Sequence, residues 1–299
     1  MFPQTATVRG GLPEGMPEQV ELRQVPFFPQ AEYQCGPAAL ATALSAAGAH
    51  VTPEELVPEV YLPERKGSLQ VEMLAAPRRH GMVSYLLEPR FGDVLREISA
   101  GNPVVMLYNM GVWSFWDAWH YAVAVGYDYD PGNMILRSGE IERQEISFPV
   151  HELMWKGSSY WAMVVMPPDR IPATAEEGRW LAAVAALERT GDARNARTAY
   201  ETFLKRWPEN VNAEIGLANT LYALSDLPGA ERVLRAAALR APDNPIVLNN
   251  LAQTLSDQNR DAEALPFIER ASRLAGPHAQ AVAETKQSIV SKLAAQRGK

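Results

Sequence analysis

The chain has 299 residues, of which 47% are hydrophobic and 21% are charged, and its formal net charge is −7. These values describe a globular protein with room for two domains, and the negative charge, with no local cluster of Lys and Arg, argues against nucleic-acid binding. No apolar run is long enough for a membrane span, and the first residues lack the apolar core of a signal peptide.

Residues 1–24 are interrupted by Pro and Gly, and we expect them to form a loosely attached N-terminal arm. The next part of the chain, residues 25–170, is predicted to be one domain. Its helical segments come first, at residues 35–47, 53–60, 69–80 and 90–100. Its strand segments follow at residues 103–109, 121–127, 134–137 and 160–165, and turn-forming residues join the second and third into a hairpin. Helices followed by antiparallel strands are typical of an α+β fold.

Cys35 is the only cysteine, and it lies at the start of the first of these helices. Gly36 and Pro37 suit the first turn of a helix, and Gly48 suits its end. A thiol at this position meets free backbone N–H groups and the positive end of the helix dipole, which favour the reactive thiolate. A disulfide within the chain is excluded, so we interpret Cys35 as a catalytic nucleophile. The alternative is a small residue packed in the core.

A cysteine nucleophile needs a base that accepts its proton. His120 is the best candidate among the five histidines, because it begins a β-rich segment that would hold it rigidly. A histidine on a strand can also be purely structural. The aromatic residues just before it either close one end of the sheet or form an apolar wall that binds a substrate side chain; the candidates for such a wall are Trp113, Trp116 and Trp119. The charged run at residues 64–67 is interpreted as a solvated loop.

Ala-rich amphipathic helices follow Pro172, and they show a period of 34 residues. The period relates Ala196, Ala230 and Ala264, and the same offset relates Tyr200, Leu234 and Ile268. A 34-residue helix pair resembles the tetratricopeptide repeat, so residues 173–299 are predicted to form an all-α solenoid of about three repeats and a C-terminal capping helix. Stacked repeats form a concave groove suited to a peptide or protein partner, and the alternative is a spacer or a dimerisation surface.

Two blocks of the first domain together resemble the C39-like, papain-fold cysteine peptidases, which include the bacteriocin-leader-processing domains of peptide exporters. The first block runs from VPFFPQ at residues 25–30 to QCGPAAL at residues 34–40, and the second is WHYAVAVGYD at residues 119–128. The resemblance covers residues 25–168. A bacterial subgroup joins such a peptidase domain to tetratricopeptide repeats, so the resemblance extends to the order of the two domains.

The resemblance implies a role for several residues. Cys35 would be the nucleophile and His120 the general base and acid. Gln30 would be the side-chain oxyanion donor beside the backbone N–H of Cys35, with Gln34 as the alternative. The family places an Asp or Asn on the strand after the histidine to orient the ring. Here Ser138 is nearest to that place, and a serine orients an imidazole more weakly than a carboxylate does.

The sequence therefore predicts a thiol peptidase that cleaves a peptide or protein substrate through an acyl-enzyme at Cys35, with the repeats recruiting substrate or a partner. Acyl transfer to an amine and a catalytically degenerate scaffold that binds peptides or proteins are the alternatives. No set of His, Cys, Asp and Glu has metal-ligand spacing, so neither a metal nor a cofactor is expected. The resemblance suggests an exported protein, periplasmic or lipid-anchored, whose leader is absent from this sequence, and the residues themselves equally allow the cytoplasm.

Overall fold

The structure is a computed structural model that describes residues 2–30, 34–113, 118–274 and 276–297. The chain divides into two compact units, Met1–Thr190 and Gly191–Lys299. Among the described residues, no helix is long and apolar enough to cross a membrane.

The first unit combines helices with one large antiparallel sheet. Its α-helices are α1 (Pro3–Arg9), α2 (Cys35–Ala46), α3 (Pro53–Val60), α4 (Gln70–Arg79), α5 (Phe91–Ser99), α6 (Phe148–Lys156) and α7 (Glu177–Glu188). Its strands are β1 (Gln19–Glu21), β2 (Tyr61–Leu62), β3 (Gly67–Ser68), β4 (Val83–Leu86), β5 (Val104–Asn109), β6 (Trp119–Asp128), β7 (Asn133–Ser138), β8 (Ile141–Ser147) and β9 (Ala162–Met166). Short 3-10 helices occur at Pro63–Arg65 and Met110–Trp113.

The large sheet has the strand order β4-β9-β5-β6-β7-β8, and β1 also pairs with β6. Strands β2 and β3 form a separate small hairpin. The predicted α+β fold and the predicted hairpin between β6 and β7 are confirmed, the latter by the pairing of Asp128 with Asn133. Strand β8 and helix α6 were not predicted. Strand β8 has no buried residue, so its sequence lacks the apolar alternation that marks a half-buried strand.

The expectation of a loosely attached N-terminal arm is wrong. Strand β1 adds to the sheet beside β6, and helix α1 is held by the buried carboxylate of Glu152. That carboxylate accepts hydrogen bonds from the backbone N–H groups of Gln4 and Thr5, at 3.1 and 2.6 Å. The Gln4 side chain also bridges to the chain at Pro89 and Phe91. Polar contacts distant in sequence fix this segment, and local composition gives no sign of them.

Helix α2 is the central helix of the first unit. It contacts strands β5, β6, β7 and β9, and every residue from Cys35 to Leu44 is buried. The run of Gly, Pro and Ala in its first turns lets its backbone approach the sheet closely, since these side chains are small. The sequence therefore places the start of this helix, and with it Cys35, against the middle of the sheet.

The second unit is all helical, as predicted. Its α-helices are α8 (Ala193–Arg206), α9 (Val211–Ala223), α10 (Leu227–Arg240), α11 (Pro245–Asp257), α12 (Asp261–Leu274) and α13 (Ala279–Arg297). Helices α8, α10 and α12 begin at residues 193, 227 and 261, and α9, α11 and α13 begin at 211, 245 and 279, so each series advances by 34 residues. The alanines at the periodic positions 196, 230 and 264 are fully buried. The repeat period read from the sequence is thus the period of the structure.

Capping residues of this unit recur with the same period. Asp192 and Asp226 accept backbone N–H groups at the starts of α8 and α10, and Asn210 and Asn244 do so at the starts of α9 and α11. An Asp or Asn at this position satisfies donors that the first turn of a helix leaves unpaired. The caps therefore fix where each helix of a repeat begins.

Helix α7 is grouped with the first unit, although it lies 34 residues before α9 in the repeat register. Its Trp180 is fully buried and packs edge-on against Tyr85 of β4, with ring centroids 5.7 Å apart. The segment before it is held by buried Glu97, which accepts hydrogen bonds from Ala173 and Thr174. The start of the repeat domain at residue 173 stays a prediction about the sequence register.

Candidate active site

Cys35 is the first residue of helix α2, where Gln34 is the N-cap. The backbone N–H groups of a first helical turn have no partner within the helix, so they point towards the region that the thiol occupies. The backbone N–H of Tyr121 in β6 hydrogen-bonds the thiol as well. The side chain of Cys35 is 9% exposed, so the sulfur is largely enclosed but still reaches a cavity.

His120 is the second residue of β6 and comes immediately before Tyr121. Its backbone pairs with Tyr108 of β5, which fixes the strand on one side. Its Nε2 lies 2.9 Å from Oγ of Ser138, the last residue of β7. The structure therefore brings His120 and Ser138 together, as the sequence-based assignment requires. Asp128, at the far end of β6, instead accepts a hydrogen bond from Gln19.

Burial dominates the electrostatics of both candidate groups. It raises the pKa of the Cys35 thiol above its ordinary value, and the backbone N–H groups of Tyr121, Gly36 and Cys35 offset this effect only in part. Burial also lowers the pKa of His120. The expectation that the helix start favours the thiolate is therefore wrong in its net direction, because desolvation outweighs the N–H groups. Without substrate, the site favours a neutral thiol beside a neutral imidazole.

A cavity of about 1130 Å³ adjoins the two side chains, and Cys35, His120 and Gln30 all line it. Gln30 is half-buried, and its backbone N–H bonds to the carbonyl of Gly139, the residue after Ser138. The geometry thus brings three of the predicted residues to one space. Gln34, the alternative oxyanion donor, caps helix α2 through its backbone.

The predicted aromatic wall is described only in part. Trp119 lines the cavity and is 50% exposed, which fits a surface that a ligand can cover. Trp116 and the side chain of Trp113 lie outside the described residues. Trp119 is therefore the member of the predicted wall that the structure can assign to the cavity.

One wall of the cavity was missed by the sequence analysis. The hairpin of β2 and β3 contributes Arg65, Lys66 and Ser68 to the lining, so the charged run interpreted as a solvated loop borders the candidate site. Ser68 is so close to Gly36 that a Cβ on Gly36 would lie 2.2 Å from the Ser68 Oγ. The glycine after the cysteine is the one sequence signal of this contact, because it leaves room for another segment beside the nucleophile.

No group of three or more His, Cys, Asp or Glu side chains in the described part of the chain could hold a metal ion. The site thus consists of a cysteine at a helix start, a histidine on a neighbouring strand, a hydroxyl that orients the ring and a cavity open to a ligand. Nucleophilic catalysis by a thiol requires a set of this kind.

Comparison with known proteins finds a family match in each of the two parts of the chain. Residues 22–140 match the model of the Peptidase_C39 like family, and residues 174–249 match a model of the tetratricopeptide repeat. The chain therefore carries a segment that matches the C39-like peptidases, followed by a segment that matches the tetratricopeptide repeat. No curated protein matches the chain.

Two solved structures resemble parts of the chain. One is described as a C39-like peptidase from Bacillus anthracis, with 17% identity, a TM-score of 0.42 and coverage of 50% of this chain and 98% of that chain. The other is the type III secretion translocator chaperone SycD of Yersinia enterocolitica, with 15% identity, a TM-score of 0.37 and coverage of 39% of this chain and 92% of that chain.

Proposed function

We propose that the protein is a thiol peptidase that cleaves a peptide or protein through an acyl-enzyme at Cys35. The observation that carries the proposal is the convergence of Cys35, His120 and Gln30 on one cavity, with Ser138 bound to the histidine ring. The match of residues 22–140 to the model of a peptidase family supports the same proposal.

Acylation starts from the neutral pair. Because Nε2 of His120 bonds to Ser138, the tautomer that serves catalysis carries its proton on Nε2 and donates it to the Ser138 Oγ. Nδ1 is then free to take the proton of the Cys35 thiol while the sulfur attacks the carbonyl carbon of the scissile peptide bond. The C–N bond breaks, and His120 gives that proton to the leaving amine. A thioester on Cys35 remains.

The oxyanion of the tetrahedral intermediate needs donors that are already in place. The backbone N–H of Cys35 lies in the first turn of α2, and the side-chain amide of Gln30 lines the same cavity. We assign these two groups to the oxyanion hole. Water then attacks the thioester with His120 as the base, which releases the acid product and restores the thiol.

The second unit is proposed to recruit the substrate or a partner protein. Tetratricopeptide repeats commonly present a concave surface to a peptide, and this unit keeps the 34-residue period through six helices. Short peptides that fill only the cavity of the first unit would not need this recruitment.

The test is cleavage of an unfolded protein and of a mixture of short peptides by the full chain, with new N-termini identified by mass spectrometry. We expect Cys35→Ala to abolish cleavage and His120→Ala to slow it by about 10² to 10⁴. His50→Ala is the matched control, because His50 is exposed and distant in sequence from the cavity lining. Rapid acid quenching should trap the substrate fragment on Cys35. Cleavage that survives in Cys35→Ala rules the mechanism out.

A catalytically degenerate scaffold is the second candidate. The observation that favours it is the combination of a serine where a carboxylate would stabilise imidazolium and burial that favours the neutral pair. In that case peptides would bind to the chain and to its Cys35→Ala variant equally well, and neither would release products.

A further inference from the structure

The described lining of the candidate site is basic, although the protein as a whole is acidic. The chain carries a formal charge of −7, yet the described residues that line the cavity include Arg65 and Lys66 and no Asp or Glu. A smaller adjoining space behind Cys35 is lined by Arg137, again with no carboxylate among its described lining residues. A ligand in the cavity therefore meets a positive field from these described lining residues.

The hairpin that carries Arg65 and Lys66 is fixed to the nucleophile. Its Ser68 lies against Gly36, and the Ser68 carbonyl accepts a hydrogen bond from the Tyr121 hydroxyl at 3.3 Å. Lys66 ends the short 3-10 helix in a left-handed conformation, with φ of 47°, which a non-glycine residue adopts at a cost. The backbone that carries the two cations therefore has a set position relative to Cys35.

Arg65 is exposed and borders the cavity, whereas the arginines at residues 79, 96, 143 and 179 are paired with carboxylates within the first unit. A guanidinium beside an open cavity suits a carboxylate, because it can donate two parallel hydrogen bonds to it. Trp119 also lines the cavity and offers an apolar surface. The cavity thus favours an extended peptide that carries one acidic side chain and one apolar side chain.

We infer that the preferred substrate is a peptide with an Asp or Glu side chain close to the scissile bond, seated against Arg65. This inference rests on the proposed function of the same site and adds the substrate class to it. The positively charged wall selects the peptide, and Cys35 and His120 cut it.

The experiment compares two sets of short fluorogenic peptides that differ only in carrying Asp and Glu or their amides Asn and Gln. For the wild type we expect kcat/KM to be about fivefold higher for the acidic set at low salt, as for an exposed ion pair, with the preference shrinking at high salt. Arg65→Glu should remove or reverse the preference. Arg232→Glu is the matched control, because it changes the net charge equally at an exposed position of the second unit.

Binding of the same peptides to Cys35→Ala, measured by fluorescence anisotropy, separates this inference from the proposed function. Equal cleavage of both sets overturns the acidic preference and leaves the peptidase standing. If neither set is cleaved, the peptidase fails, and tighter binding of the acidic set that Arg65→Glu abolishes still supports the inference. Equal binding of both sets, or a preference that Arg65→Glu leaves unchanged, overturns it.

Discussion

Burial sets the acid–base behaviour of the candidate site, and Ser138 holds the His120 ring within it. Because burial lowers the pKa of His120 and raises that of Cys35, the form that reacts is the neutral pair. Activity should therefore fall only when His120 is protonated, at a pH below the ordinary pKa of a histidine, or when the thiol ionises, at a pH above the ordinary pKa of a cysteine. A preformed thiolate–imidazolium pair would instead react rapidly with iodoacetamide well below the pKa of a free thiol.

Ser138→Asp tests whether Ser138 acts through the histidine. A carboxylate beside Nε2 stabilises the imidazolium, so the pKa of His120 should rise and the acid limb of kcat/KM should move to higher pH. Ser138→Ala should lose about tenfold in kcat, the value of one hydrogen bond, without such a rise. The measurement is kcat/KM of the variants and the wild type across the pH range. An acid limb that is identical in Ser138→Asp and the wild type contradicts the assignment.

A second prediction at the scale of single residues concerns Gly36. A Cβ added here would lie 2.2 Å from the Ser68 Oγ and 2.6 Å from its Cβ, so Gly36→Ala must displace the hairpin. We expect a loss of about 1–3 kcal/mol in the free energy of unfolding, measured with urea. Gly92→Ala, in helix α5 with open space at its Cβ, should not destabilise. If the Gly36→Ala, Ser68→Gly double variant recovers the lost stability, the contact is confirmed. If Gly36→Ala alone has the stability of the wild type, the contact is contradicted.

At the scale of elements, the sequence predicts what local patterns determine. Helix α3 is found at the predicted residues 53–60 because a Thr52 capping box and Pro53 define its start. The β2–β3 hairpin could not be foreseen, since each strand has two residues and its place depends on a contact between Ser68 and Gly36. The pairing of His120 with Ser138 was foreseen only through a family resemblance, because the two residues meet by strand register.

Helix α6 carries a buried histidine outside the described lining of the candidate site. His151 is fully buried, its Nδ1 lies 2.9 Å from the Tyr108 hydroxyl, and its ring lies beside Phe91 and Trp155. Burial lowers the pKa of His151 to about 3. The ring is therefore neutral in the folded protein at neutral pH, and its Nδ1 shares a hydrogen bond with the Tyr108 hydroxyl.

The low pKa of His151 predicts loss of stability in acid. The unfolded chain takes up this proton near pH 6.5 and the folded chain near pH 3, so the free energy of unfolding falls as pH drops between these values. From about pH 7.5 to about pH 5.5 this group alone contributes a loss of about 1.4 kcal/mol. His151→Phe should lower stability at every pH, because it removes the hydrogen bond between the imidazole and the Tyr108 hydroxyl, but with a shallower pH dependence. Urea unfolding across this pH range measures the effect, and His50→Gln, at an exposed position, is the control. If the free energy of unfolding of His151→Phe changes with pH as steeply as that of the wild type, His151 is not the group responsible.

At the scale of the whole molecule, the repeat period and the compact units divide the chain at different places. The 34-residue register includes helix α7, and the contacts group α7 with the first unit. Periodicity reports which residues share an ancestry of repeats, whereas packing reports which residues fold together. Trp180, buried against Tyr85 of β4, shows the difference: its register belongs to the repeats and its contacts belong to the sheet.

Two truncated chains turn this difference into a prediction. Residues 1–190 keep α7 and should fold and cleave short peptides at the rate of the full chain, while losing whatever advantage the repeats give with protein substrates. Residues 1–172 lose Trp180 from its site on β4, so their free energy of unfolding should be lower by at least about 3 kcal/mol, as for removal of a buried tryptophan. Urea unfolding and peptide cleavage measure both quantities, and Trp180→Ala in the full chain should reproduce the destabilisation. Equal stability of the two truncated chains would assign α7 to the repeats in folding as well as in sequence.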